Sequence, residues 1–86
     1  MRLVFTESAW EDYPWFQEKD RQLLKRINQL LKDTLRTPFE RIGKPEALKA
    51  DLSGYWSRRI DDEHRLVYGV SKTDLVIISC RYHYSK

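Results

Sequence analysis

The chain has 86 residues, 41% hydrophobic, 34% charged and 13% aromatic, with a formal net charge of +3. That length holds one small domain spanning residues 1–86 and excludes a second core, and the composition is too apolar for a disordered chain. No apolar run approaches the length of a membrane span, MRLVFTESAW lacks a signal-peptide core, and the single cysteine, Cys80, excludes an internal disulfide, so a cytoplasmic protein without a membrane partner is expected.

Charge is unevenly spread. Residues 1–40 hold seven Lys/Arg and seven Asp/Glu, which cancel; residues 41–86 hold nine and six, which accounts for the whole +3. A cationic C-terminal half points toward a polyanionic partner, although a mixed solvated surface has the same composition. The three Trp, five Tyr and three Phe supply much of the apolar area available for burial.

Taken in chain order, residues 2–6 (RLVFT) read as a strand. Thr6 or Ser8 can cap the helix that follows, and Ser8-Ala9-Trp10-Glu11 has capping-box spacing. Ala9, Trp10, Tyr13 and Phe16 give that helix an apolar stripe. Pro14 predicts a kink or a stop near Glu18, because proline removes one intrahelical hydrogen bond. Asp20 is the next N-cap. RQLLKRINQLLKDTLR follows, with Leu23, Leu24, Ile27, Leu30 and Leu31 on one face and Arg21, Lys25, Arg26 and Lys32 on the other. Thr37-Pro38 ends it, since a residue before proline avoids helical geometry.

Residues 38–54 carry two prolines and two glycines and read as an ordered loop with one short turn from Pro45 to Lys49. YWSRRI (55–60), RLVYGV (65–70) and LVIISCRYHY (75–84) read as three strands joined by short turns. The expected fold is α+β in the order β-α-α-β-β-β: a two-helix hairpin packed on a small antiparallel sheet. Alternation along 75–84 puts Val76, Ile78, Cys80, Tyr82 and Tyr84 on one face and Leu75, Ile77, Ser79, Arg81 and His83 on the other. Arg59 and Arg65 flank the DDEH turn. A four-residue link turns them apart, and a three- or five-residue link or a bulge turns them together, so their register stays open.

On residue type alone, Arg58, Arg59 and His64 read as solvated surface beside a turn, and Cys80 as a buried thiol. The two histidines and one cysteine have no metal-ligand spacing, and there is no phosphate-binding glycine loop or serine-nucleophile elbow, so no metal and no cofactor is expected. A carboxylate, a histidine and several cations remain. Such a set can cleave RNA by attack of its own 2′-hydroxyl on the adjacent phosphate, given a base, an acid and positive charge on the phosphate.

GKPEALKADLSGYWSRRIDDEHRLVY followed by CRYHY resembles the YoeB toxins of the RelE/ParE superfamily, and the resemblance extends through WEDYPWFQEKD and INQLLKDTLRTPFE. It implies a ribosome-dependent endoribonuclease that cuts mRNA in the decoding site. Glu46 then looks like the general base, His83 like the general acid and Arg65 like the phosphate stabiliser. Lys49 and Arg59 look like supporting cations, and Tyr84 like an RNA-contacting aromatic. Implied partners are a YefM-like antitoxin, the 70S ribosome and mRNA, with operator DNA reached through the antitoxin and a homodimer as a further assembly. Pro14 and the Ser85-Lys86 extension depart from the family pattern without touching the matched positions. Two other readings stand beside this one: a non-enzymatic ParE-like toxin and a small RNA-binding module.

Overall fold

The computed structural model of the protein describes residues 1–40 and 42–82. It contains β1 (Arg2–Phe5), α1 (Glu7–Lys19), α2 (Arg21–Arg36), β2 (Glu46–Ala47), a 3-10 turn (Ala50–Leu52), β3 (Trp56–Arg59), β4 (Arg65–Val70) and β5 (Asp74–Ser79). The strands form one five-stranded sheet in the order β1-β5-β4-β3-β2.

Local chemistry sets the helix boundaries. Thr6, not Ser8, caps α1: its Oγ1 accepts the Ala9 N–H at 3.2 Å and donates to the Ile78 carbonyl at 3.0 Å. The helix runs through Pro14 to Lys19. The carbonyl that loses its usual donor there belongs to Trp10, a residue 61% exposed, where water can serve it. Asp20 then closes one helix and opens the next. Its N–H donates to the Phe16 carbonyl at 2.9 Å, and its Oδ1 accepts the Leu23 N–H at 3.1 Å.

The two helices cover one sheet face. Phe16, Ile27, Leu30, Leu66, Tyr68, Leu75, Ile77 and Cys80 are fully buried between them and the sheet. Each buried Leu or Ile contributes about 1.5–3 kcal/mol.

The sheet is mixed, whereas the short turns predict an antiparallel one. β3, β4 and β5 form the antiparallel meander, but β1 lies parallel to β5, with Leu3 opposite Leu75 and Phe5 opposite Ile77. Short turns dictate antiparallel pairing only between neighbours in sequence. The direction of β1 is decided by a contact between the two ends of the chain. The expected turn over Pro45–Lys49 is instead the short strand β2, which pairs Glu46 with Ser57 and Ala47 with Trp56; the helical turn comes later, at Ala50–Leu52.

Arg58 is a further correction. It is 0% exposed, not a surface side chain. Alternation along β3 turns Trp56 and Arg58 toward the helices. The guanidinium pairs with Asp33 at 2.6 Å, donates to the carbonyls of Ile42 and Glu40, both at 3.0 Å, and to that of Thr37, and reaches the Tyr68 hydroxyl at 3.2 Å. A buried charge persists only when paired and hydrogen-bonded to this degree. The result ties α2 and the following loop to the centre of the sheet.

Candidate active site

The sheet face away from the helices gathers the polar residues. In antiparallel pairs, directly opposed residues share a face. Glu46 stands opposite Ser57, Ser57 opposite Val67, and Arg59 opposite Arg65. The link between the two arginines is five residues, 60–64, closed by Ile60 N–H donating to the His64 carbonyl at 3.0 Å. That length fixes the register that the sequence leaves open and turns both guanidinium groups to one face.

Glu46 and Arg65 meet directly: Nη2 of Arg65 lies 3.3 Å from Oε1 of Glu46. The two environments differ, the Arg65 side chain being 17% exposed and the Glu46 side chain 60%. A shielded guanidinium is held beside a carboxylate that solvent and ligand can reach. Arg59 sits across from Arg65 and pairs with Asp62, while its N–H donates to the Gly43 carbonyl at 2.8 Å. Lys49 is exposed and stands at the N-terminal end of the 3-10 turn. The segment carrying Glu46 and Lys49 is bracketed by two non-glycine residues in the left-handed region, Lys44 (φ 49°) and Ala50 (φ 56°). Such outliers concentrate where a loop is held for function.

Ser57 joins this face although its residue type alone carries no functional signal. Its hydroxyl is buried between Glu46 and Val67 and has no hydrogen-bond partner among the described residues; the same holds for Arg65 Nε. The available signal is the WSRR run, where period-two alternation separates Ser57 and Arg59 from Trp56 and Arg58.

His83 and Tyr84 lie outside the described residues. The chain leading to them departs from the expected strand over 75–84. β5 ends at Ser79, and a bulge shifts its register, with Val67 opposite Ser79 but Tyr68 opposite Ile77. The extra residue reverses the alternation, so Cys80 joins Leu75 and Ile77 in the core and not Val76 and Ile78. The Cys80 N–H leaves the ladder and donates to the Asp12 carboxylate at 3.1 Å. Burial pushes the Cys80 thiol up to about 12, with Asp12 adding to the shift, so it is not a nucleophile. Burial also raises the Asp12 carboxyl, against the opposing pull of the Cys80 N–H, Arg81 and His64. Arg81 lies over the Trp15 ring at 3.9 Å and the Tyr82 ring at 4.6 Å.

His64 is also corrected. It is 3% exposed, not a surface turn residue, and packs against Phe16 and Trp15. Its Nδ1 accepts the Tyr82 N–H at 2.8 Å.

A helix pair packed on one face of a five-stranded mixed sheet is a RelE-like fold. The same fold is seen in YafQ from Escherichia coli, at 20% identity and a TM-score of 0.73 over 96% of this chain and 94% of that one. The chain belongs to a narrower group within that fold: residues 5–84 match the model of the YoeB-like toxins of bacterial type II toxin–antitoxin systems. It is 63% identical to Toxin YoeB of Synechocystis over 100% of both chains, and 58% identical to Toxin YoeB of E. coli K12 over 98% of this chain and 100% of that one. Among solved structures it is similar to the YoeB/ParE toxin of Agrobacterium tumefaciens, with a TM-score of 0.94 and 51% identity over 98% of this chain and 100% of that one. It is also similar to the YoeB dimer of Staphylococcus aureus, with a TM-score of 0.90 and 50% identity over 98% of each chain. The protein is a toxin of a type II toxin–antitoxin system.

Proposed function

We propose that the toxin is a ribosome-dependent endoribonuclease that cuts mRNA in the decoding site and so stops translation. The observation that carries this reading is the Glu46–Arg65 pair at 3.3 Å with Arg59 directly across from Arg65, on one face of the sheet. In the proposed reaction the Glu46 carboxylate takes the proton of the 2′-hydroxyl. The 2′-oxygen bonds to phosphorus while the bond from phosphorus to the 5′-oxygen breaks, and His83 gives its proton to that departing oxygen. The products are a 2′,3′-cyclic phosphate and a free 5′-hydroxyl. Arg65 holds the charge that accumulates on the phosphate, for which a planar guanidinium is suited because it can bind two oxygens at once. An incoming phosphate exchanges with Glu46 on Arg65 and leaves the carboxylate free to act as base. Arg59 and Lys49 add cationic charge along the RNA backbone, and Tyr84 stacks on a base.

The proposed partners are a YefM-like antitoxin, the 70S ribosome and mRNA, with operator DNA bound through the antitoxin. The S. aureus relative occurs both as a dimer and in a heterotetrameric complex with YefM, which supports an antitoxin partner and a homodimer for this chain. Exposed Leu3, Val4 and Trp10 lie on and beside β1, at the edge of the sheet, an apolar surface suited to a protein partner.

The test is a cell-free translation reaction in which mRNA 5′ ends are mapped after adding wild type, Glu46→Gln or His83→Gln protein. New ends should appear within translated codons with wild type and vanish with either variant. Arrest of synthesis with intact mRNA would refute the reading. Retained toxicity of both variants in cells would favour a non-enzymatic ParE-like toxin instead, and salt-sensitive RNA binding without toxicity would favour a plain RNA-binding module.

A further inference from the structure

His64 takes no part in the proposed chemistry, yet it is buried, 3% exposed, and enclosed by aromatic rings. Its ring meets Phe16 edge-on at 5.0 Å between centroids, and lies at a tilt to Tyr82 at 5.5 Å and to Trp15 at 6.1 Å. Asp61 fixes its backbone, accepting the His64 N–H at 2.7 Å and the Glu63 N–H at 2.9 Å. Held in this way, the ring aims Nδ1 at the Tyr82 N–H, 2.8 Å away. Nδ1 is the acceptor, so the ring proton is on Nε2, which faces the Glu63 carboxylate at 3.7 Å.

The next residue completes a clamp. The Arg65 N–H donates to the Tyr82 carbonyl at 3.1 Å, so both backbone polar groups of Tyr82 are bound by two consecutive residues, 64 and 65. Tyr82 needs such support. Its φ of +63° is in the left-handed region, which costs a non-glycine residue about 1–2 kcal/mol. Strain of this kind persists only where the surroundings over-determine it. In this chain it turns the backbone one peptide bond before His83 and joins that point to the backbone of Arg65.

We propose that His64 is a positioning residue for RNA cleavage: by accepting the Tyr82 N–H on Nδ1, it sets where the chain enters His83 relative to Arg65. The inference rests on the endoribonuclease reading above. It differs from a role in stability because it assigns the effect to one acceptor atom and not to the bulk of the ring.

Asparagine and glutamine separate the two. Asn carries an acceptor oxygen near the place of Nδ1, and Gln carries one near the place of Nε2. The experiment measures single-turnover mRNA cleavage on programmed ribosomes, ribosome affinity and thermal midpoint for wild type, His64→Asn, His64→Gln, His64→Phe and His83→Gln. His64→Gln and His64→Phe should cleave about tenfold more slowly or worse, the scale of a small misplacement of a reacting group, with affinity unchanged. His64→Asn should recover most of the rate although it lacks the ring. Rates that simply follow the thermal midpoints, or His64→Gln matching His64→Asn, would overturn the proposal. If wild type does not cleave, the endoribonuclease reading falls and this inference with it; if wild type cleaves and either His83→Gln or His64→Gln keeps its rate, only this inference falls.

Discussion

Arg58 shows how far burial changes the meaning of a side chain. Its guanidinium has no contact with solvent and directs its hydrogen bonds to Asp33, Tyr68 and the carbonyls of Thr37, Glu40 and Ile42. Removing one member of such a network leaves the others buried without partners, at a cost of about 3–5 kcal/mol. Arg58→Met is therefore expected to lower the thermal midpoint by more than about 10 °C in a domain of this size, read by calorimetry. A shift of a degree or two would mean that the network contributes little. Cys80 carries a second prediction. Its thiol is held at about 12 in the fold against an ordinary value of 9.0. A group whose folded value is raised contributes stability that is present below the lower value and lost as pH climbs toward the higher, so Cys80 should erode stability between pH 9 and 12. Iodoacetamide at pH 8 should leave the native thiol unmodified and alkylate it fully in urea; equal reaction in both would show the thiol to be accessible.

The segment between α2 and β3 carries Glu46 and Lys49 and is held to the sheet through its backbone. Gly43 lies in it with φ +81°, and a Cβ there would meet Leu30 Cδ2 at 2.8 Å and Arg58 Cβ at 3.0 Å. Both backbone geometry and space require glycine, and the Gly43 carbonyl also accepts the Arg59 N–H at 2.8 Å. Gly43→Ala should cost more than about 1 kcal/mol, measurable by urea denaturation. If the proposed function holds, it should also slow mRNA cleavage beyond what lost stability explains, because Glu46 follows three residues later. Unchanged stability would show that the loop relaxes without strain. Thr6 and Asp20 cap the two helices through local hydrogen bonds, and α1 passes Pro14 without breaking.

Across the molecule, the helices hold one face of the sheet and leave the other to Glu46, Ser57, Arg59 and Arg65. If RNA lies along that face, Lys49 and Arg59 act on phosphate charge and not on base identity. Lys49→Ala and Arg59→Ala should then weaken toxin binding to the mRNA-loaded ribosome equally for all codons and reduce the salt dependence of that binding by roughly one unit of slope each. A titration series in potassium chloride checks this, and an unchanged slope would remove that residue from the RNA contact. The cationic excess of residues 41–86 supports such a path, since Arg59 and Arg65 belong to that half.

Much of this was legible in the residues themselves. The stripe from Leu23 to Leu31, the Asp20 cap, the Pro38 stop and the alternating runs after residue 55 encode helices and strands through contacts a few residues long, which any local reading can see. The motif resemblance indicated the YoeB-like toxin family on the same terms, as a pattern of residue types. The parallel placement of β1, the five-residue link that turns Arg59 and Arg65 together, the bulge that sends Cys80 inward and the burial of Arg58 and His64 were decided only in three dimensions. The link is closed by a hydrogen bond within the turn, from Ile60 to His64, which residue types alone do not specify; the others depend on a hydrogen bond or packing contact between segments far apart in the chain, such as Arg58 with Asp33 or Tyr82 with His64, and such pairings leave no local signature.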